Sequence, residues 1–577
     1  MAKTMFVGLT ASVLVGILCA SAIITLVHST KIHHRRHNLH SSIHHTTLKA
    51  RRTKGNSLCA TALHKESCEL MLSKLAPKPS KDHAGLEASC VEASQSEIFT
   101  KFIDVKITEL EKAVKLSADV ANGTVGDRTA AAKADCRKLL MGALQYARAA
   151  YAHARDKDLK GLTAEAENIQ HMLTASMTYM YTCVDSFEDT TLNAEMEGIL
   201  SNATVMGSNA LGVINTISST AAKTKTLQPT SMKLMVYDAD QQGYPTWLSS
   251  RDRKLVQEDS PKPDAVVAKD GSGQFKTIND ALEKIPVNHT GRYVIYLKAG
   301  VYDEIVKVPR ETKNLYMYGD GADKSVVTGK LSNVETQVTT RLTATFTIEG
   351  QNFTAKSIGF KNSAGAVNHQ AVALRISGDF GAFFKCSFDG FQDTLYTHTG
   401  RQFFRECNVS GTIDFIFGNS AVVFQNCLIT CNRPLDNQQN TITAHGRTDP
   451  NMKTGVVLQN CRIVADKGLV PDKEKLPSYL GRPWKMYSRA VVMESFIDDY
   501  IHPEGWYPWN GDFALKTLYF AEYGNTGPGA NTTGRVKWPT FHVITKADAT
   551  QFTAGPFINA NEWLASTGVP NYLGFKA

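Results

Sequence analysis

Two aspartates, Asp393 and Asp414, stand 21 residues apart, and two glutamines, Gln370 and Gln392, stand 22 apart. Carboxyls brought close together can divide their labour, one holding a proton while the other stays anionic. Asp414 lies in the otherwise apolar run Ile413-Asp414-Phe415-Ile416-Phe417-Gly418, where a carboxylate is costly unless something pairs with it. One such aspartate reads most simply as the cap of a turn. Two aspartates and two glutamines on one face read as equipment for acid–base or nucleophilic chemistry. Whether they share a face depends on the elements that carry them.

Those elements repeat. The phrases Phe384-Lys385-Cys386-Ser387-Phe388, Phe404-Arg405-Glu406-Cys407-Asn408-Val409, Phe424-Gln425-Asn426-Cys427-Leu428-Ile429 and Leu458-Gln459-Asn460-Cys461-Arg462-Ile463 follow one another down the chain. Their cysteines are spaced 21, 20 and 34. A period of about 20 residues with one strand phrase per repeat marks a solenoid, and strand phrases without a helical spacer point to a parallel β-helix. The step of 34 implies an insertion into one coil, around residues 433–451. Residues one period apart stack on adjacent coils roughly 4.8 Å apart. Gln370, the pair Gln392-Asp393, and Asp414 therefore belong on three successive coils. Cys407 and Cys427 fall within reach of a disulfide, which we expect over a ladder of buried free thiols.

The N-terminal part is built differently. The chain from 55 to 217 carries apolar residues at three- and four-residue steps, as in the Ala- and Leu-rich stretch Asp135–Tyr151, and reads as an all-α bundle. A further helix is expected to begin near Thr163, with Glu165 and Glu167 in its first turn. Cys59–Cys68 would staple a short hairpin and Cys136–Cys183 would tie two helices, with Cys90 left over. Residues 218–263 turn to Ser, Thr, Lys, Gln and Pro and form a linker. Within it Arg253-Lys254-Leu255-Val256 offers a dibasic processing site, a solvated charge cluster being the plain alternative.

With those segments in view the chain resembles two known families. Gly300-Val301-Tyr302-Asp303-Glu304, Gln370-Ala371-Val372-Ala373-Leu374, Gln392-Asp393-Thr394-Leu395-Tyr396, Asp414-Phe415-Ile416-Phe417-Gly418 and Leu480-Gly481-Arg482-Pro483-Trp484 resemble, in order, the motifs of plant pectin methylesterases. Thr182-Cys183-Val184-Asp185-Ser186-Phe187 and Asn209-Ala210-Leu211 resemble the pectin methylesterase/invertase inhibitor domain, a four-helix bundle with two disulfides. The usual Tyr-Pro before its second cysteine is replaced by Lys65-Glu66-Ser67-Cys68. The resemblance implies an α + β two-domain chain: residues 55–217 a four-helix bundle serving as pro-region, residues 264–577 a right-handed parallel β-helix.

It also implies roles. Asp414 would be the nucleophile on the C6 methyl ester of homogalacturonan, held by Arg482, and Asp393 the proton donor and later base. The amides of Gln370 and Gln392 would bind the oxyanion. Thr340, Trp484, Tyr396 and Phe417, with Gln370 and Arg482, would line the substrate groove; Glu304 reads as structural. No metal or cofactor enters this scheme. The family's processing motif is a basic pair followed by two leucines, from which Val256 departs.

Composition narrows the partners. The formal charge of +8 is concentrated in a tail from Lys31 to Lys54, and beyond Leu255 the chain carries only roughly +2. With no basic–aromatic module, nucleic acid is not an expected partner. Residues 1–54 comprise an uncharged run from Thr4 to Val27, a cleaved signal or signal-anchor, and a connector containing His33, His34, His37, His40, His44 and His45 that reads as a solvated tail. The positive charges following the run would by themselves favour a cytosolic orientation, but cationic tails also follow cleaved leaders. Sequons at Asn122, Asn202, Asn288, Asn352, Asn408 and Asn531 permit secretion to the cell wall as a glycoprotein. Expected partners are methyl-esterified homogalacturonan, a processing protease, and inhibitor proteins like the chain's own pro-region. A β-helix lyase or glycosidase is the rival enzyme class, predicting chain cleavage; an inert β-helix carried by a binding bundle is the non-enzyme reading.

Overall fold

The computed structural model describes residues 58–75, 87–118, 120, 127–226, 261–287 and 289–576. The apolar run, the His-rich tail, the dibasic site, Asn122 and Asn288 lie outside them, as does the side chain of Cys90. The helices and sheets described below belong to the unit Thr61–Ala577.

The first part of that unit is helical: α1 (Lys65–Leu75), α2 (Glu87–Leu116), α3 (Asp127–Ala154), α4 (Leu159–Asp185) and α5 (Thr190–Thr226). In α4 the buried residues Leu162, Ala166, Ile169, Leu173, Met177 and Met180 recur every three or four positions, which lays one apolar stripe against its neighbours. The helix starts four residues before Thr163. Asp158 is its N-cap, accepting from the Gly161 amide at 2.7 Å, while the Thr163 hydroxyl turns back to the Leu159 carbonyl. Cys136 and Cys183 form a disulfide between α3 and α4, and Cys59 and Cys68 are both disulfide-bonded. Helix α5 continues to Thr226, into the stretch expected to be linker.

The second part winds three parallel sheets of eleven, eight and seven strands around one core. Six successive coils turn from the eleven-stranded to the eight-stranded sheet through a single residue in the left-handed region. These corners are Ser357, Lys385, Glu406, Asn426, Asn460 and Glu494, with φ of 52–56°. The next residue points inward, so Ile358, Cys386, Cys407, Cys427, Cys461 and Ser495 stack as an internal column. Phenylalanines stack beside it, with ring centroids 4.6 Å apart for Phe383–Phe404 and for Phe404–Phe424.

The expected Cys407–Cys427 disulfide is not formed: both residues are buried free thiols, as are Cys386, Cys431 and Cys461. Spacing correctly made them neighbours, but each occupies the same inward position and donates instead to the backbone. Cys407 Sγ lies 3.5 Å from the Phe383 carbonyl, Cys427 Sγ 3.5 Å from Phe404 and Cys461 Sγ 3.5 Å from Phe424. The extra residues between the third and fourth cysteines divide into 432–439 and 446–454, on either side of one strand.

The seven-stranded sheet carries the candidate residues. Its strands are β1 (Val306–Val308), β2 (Phe346–Ile348), β3 (Leu374–Ile376), β4 (Leu395–Thr397), β5 (Ile413–Gly418), β6 (Asn440–His445) and β7 (Ser478–Pro483), neighbours in that order.

Candidate active site

Backbone pairing brings the polar residues onto adjacent rungs. The Ala371 amide donates to the Gln392 carbonyl at 3.2 Å, and the Asp393 amide donates to the Ile413 carbonyl at 3.0 Å. Gln370, Gln392-Asp393 and Ile413-Asp414 are therefore consecutive steps, as the period of the repeat required. Both aspartates take left-handed backbone conformations, with φ of 63° at Asp393 and 52° at Asp414. At Asp414 the cause is a bulge: Ile413 pairs with Thr441, but Ile416 pairs with Thr443, one residue fewer on β6. A bulge re-aims a side chain that regular pleating would have pointed elsewhere.

Asp414 is gripped from two sides. Arg482 donates from Nε to Oδ1 at 2.8 Å and from Nη2 to Oδ2 at 2.7 Å, a bidentate fork. Thr441 donates its hydroxyl to Oδ1 at 2.7 Å while accepting from the Asp414 amide at 3.0 Å. Arg482 is delivered by register: Arg375, Tyr396, Phe417, Ala444 and Arg482 are partners across β3 to β7. Burial works against its charge, but the Asp414 carboxylate outweighs that and raises the guanidinium pKa.

Asp393 is in the opposite situation. Burial first, and the neighbouring Asp414 second, push its carboxyl well above the usual range, with Arg482 only partly opposing them. The two acids thus have separate characters: one tied to a cation, one inclined to keep its proton.

Of the residues expected to line a groove, Tyr396, Phe417 and Trp484 pack together. Tyr396 and Phe417 stack with centroids 4.2 Å apart, and Trp484 meets Phe417 edge-on at 6.0 Å. Thr340 opens the short 3-10 helix Thr340–Thr343 that leads into β2. Glu304 is structural, accepting from the Ile278 and Asn279 amides at the start of the helix Ile278–Glu283. The described sequon asparagines Asn202, Asn352, Asn408 and Asn531 are all exposed.

Two residues at this site were not found from sequence. Thr441 falls within the coil lengthened by the insertion, where the period no longer predicts neighbours. Trp509 lies in a loop beyond the last motif, its ring centre 4.3 Å from the Arg482 guanidinium.

Helices α3 and α4 lie against this sheet. Thr182 Oγ1 and His398 Nε2 are 2.9 Å apart, Asn419 donates to Thr178 at 2.8 Å, and Tyr179 donates to Ser377 Oγ at 3.1 Å. Ion pairs join Lys485 to Asp185 at 2.6 Å, Lys453 to Glu167 at 2.6 Å, and buried Arg341, through Nε at 2.9 Å, to Asp135. Tyr181, Thr182 and Asp185 share one small cavity with Tyr396 and Trp484.

Comparison with known proteins supplies an independent view. Residues 264–561 match the pectinesterase family, and residues 55–213 match the plant invertase/pectin methylesterase inhibitor family. The relative named "Probable pectinesterase/pectinesterase inhibitor 13" from Arabidopsis thaliana is 46% identical over 70% of this chain and 65% of its own length. Pectinesterase/pectinesterase inhibitor U1 of Solanum lycopersicum is 38% identical over 98% of this chain and 96% of its own. The solved pectin methylesterase from carrot is 49% identical, covers 55% of this chain and all of its own, and superimposes with a TM-score of 0.54.

Proposed function

The chain belongs to the pectinesterase family, and from that premise we propose that it hydrolyses the C6 methyl esters of homogalacturonan, giving methanol and a free carboxylate. The observation that carries this reading is the asymmetry of the two aspartates. Asp414, anchored by Arg482 and Thr441, is the nucleophile: its free lone pairs attack the ester carbonyl carbon. The side-chain amides of Gln370 and Gln392 donate to the oxyanion that develops, a contribution of about 3 kcal/mol for such a donor. Asp393, whose pKa is raised, gives its proton to the departing methanol. The resulting carboxylate then takes a proton from water, which cleaves the acyl-enzyme, frees Asp414 and restores protonated Asp393. Trp484, Phe417, Tyr396 and Thr340 supply the surface on which the sugar rings rest.

The helical module acts as a restraint on this site in our reading. Its α4 occupies the face that the polymer must reach, with Thr182 and Asp185 seated beside Tyr396, His398 and Trp484. Cleavage in the linker near Arg253-Lys254 by a secretory protease would release it, the mature enzyme then working in the cell wall.

Methanol release is the direct test. Residues from Gln257 onward should release methanol from methylated pectin without shortening the polymer, and added helical module should suppress the rate. Shortening of the polymer would favour the lyase or glycosidase reading. Full activity of Asp414→Ala would overturn the mechanism.

A further inference from the structure

Among the described residues, Asp135, Glu167 and Asp185 of the helices form ion pairs with the β-helix, and these pairs run in one direction. In each, the helical module supplies the carboxylate and the β-helix the cation: Asp135 to Arg341, Glu167 to Lys453, Asp185 to Lys485. The helical Arg128, by contrast, meets amide oxygens there, 3.0 Å from Asn333 Oδ1 and 3.5 Å from Gln337 Oε1. The β-helix thus receives anions at fixed points.

Two of the three bases stand on the catalytic face, one on each side of Asp414. Arg341 leads into β2, three strands from β5, and Lys485 follows β7, two strands away on the other side. Along the sheet these are roughly 14 Å and 10 Å from the reacting carboxylate. Lys485 Nζ sits 5.4 Å from the ring centre of Trp484, on the aromatic strip itself. Among the described residues its ion-pair partner is Asp185, whereas Arg341 also lies 3.7 Å from Glu349 and is partly neutralised within the β-helix. Lys453 lies off this row, in the loop 446–454, and serves as a clasp.

We infer that Arg341 and Lys485 are binding subsites for the free carboxylates of unesterified galacturonate units, and that Asp135 and Asp185 occupy them in imitation of the polymer. The inference rests on the esterase reading for the identity of the polymer. Its chemistry is simple: each ester hydrolysed leaves a carboxylate at C6, so a chain already worked upon carries anions at sugar spacing beside the remaining esters. Arg341 offers such a carboxylate two parallel donors as a fork, and Lys485 meets one as a point charge.

The test compares two polymers on the intact chain in an Asp414→Asn background, so that ester is not consumed. The probes are unesterified polygalacturonate and fully methyl-esterified polygalacturonate. Asp135→Asn with Asp185→Asn weakens the competitor alone, so both polymers should bind more tightly by the same factor. Arg341→Gln with Lys485→Gln weakens the competitor too, but also removes the subsites. The ratio of affinities, unesterified to esterified, should therefore fall about fivefold to tenfold in the base-side variant and stay fixed in the acid-side variant. If the bases serve only to hold the helices, the ratio is unmoved in both, and the inference is overturned. Lys485→Gln alone, at a partly exposed pair, decides the matter if the buried Arg341→Gln lowers folding yield. Methanol release persisting in Asp414→Asn would sink the nucleophile assignment, while the affinity ratio from short-time binding would still judge the subsites.

Discussion

Lys106 is fully buried within the helical module, and replacing it with methionine should stabilise that module substantially. Its Nζ lies 3.1 Å from Met180 Sδ on α4 and 3.4 Å from the Ala203 carbonyl on α5, with no carboxylate within ion-pair distance among the described residues. Space is tight as well, since a Cβ at Gly207 would lie 2.8 Å from Nζ. Burial lowers the pKa from 10.5 to about 7. At 1.36 kcal/mol per pH unit, that depression corresponds to a cost of about 5 kcal/mol for keeping the ammonium charged inside. Because the folded pKa lies below the unfolded one, the cost is complete below pH 7 and fades as pH rises from 7 towards 10.5. Lys106→Met removes the charge and keeps the stem, so a gain of about 2–5 kcal/mol is expected at pH 6, shrinking by pH 10. Urea unfolding of the full chain, followed by circular dichroism at 222 nm at both pH values, measures it. A gain under about 1 kcal/mol at pH 6, or one that grows with pH, would refute the assignment of Lys106 as a buried, unpaired cation.

The other expectations concern the site. Arg482→Lys replaces a fork by a single point and should lower kcat roughly a hundredfold, with Arg482→Gln losing more; methanol release at saturating pectin shows the difference. Thr441→Val should lower kcat about tenfold through loss of the hydrogen bonds its hydroxyl makes to the Asp414 carboxylate and accepts from the Asp414 amide, and Thr441→Ser should recover most of it. Asp393→Asn should abolish turnover yet raise thermal stability. A carboxyl with a raised folded pKa is penalised increasingly as pH climbs from 3.8 through that pKa, so the gain should be larger at pH 8 than at pH 4.

Whatever the repeat dictates was legible in the chain itself. Asp393 and Asp414 are neighbours because 21 residues make one coil, and that follows from counting. Arg482, 68 residues beyond Asp414, was reachable only through its motif, although the sheet register that delivers it is regular. Thr441 and Trp509 were invisible because one sits beyond a broken period and the other in a loop. The start of α4 was misplaced since Asp158, a strong cap, precedes a Leu-Lys-Gly stretch that looks unhelical; tertiary packing of the stripe from Leu162 overrides that local preference. The cysteine column shows a different limit. Spacing specifies adjacency, but whether two adjacent sulfurs bond or donate to carbonyls is decided by side-chain direction, which spacing does not encode.

The left-handed corners of the six successive coils also govern how such a gene can change length. Between Cys427 and Cys461 the chain absorbs extra residues on both sides of β6, and the next corner, Asn460, still falls into line. A single codon inserted between the corner Glu406 and Asp414 has no such freedom. It would turn every later side chain of that coil to the opposite face before the corner could reset it, and would part the acid from the nucleophile. Lineages of this fold are therefore free to lengthen loops after the nucleophile, while the stretch from the corner Glu406 to the nucleophile tolerates replacement of letters but not a change in their number.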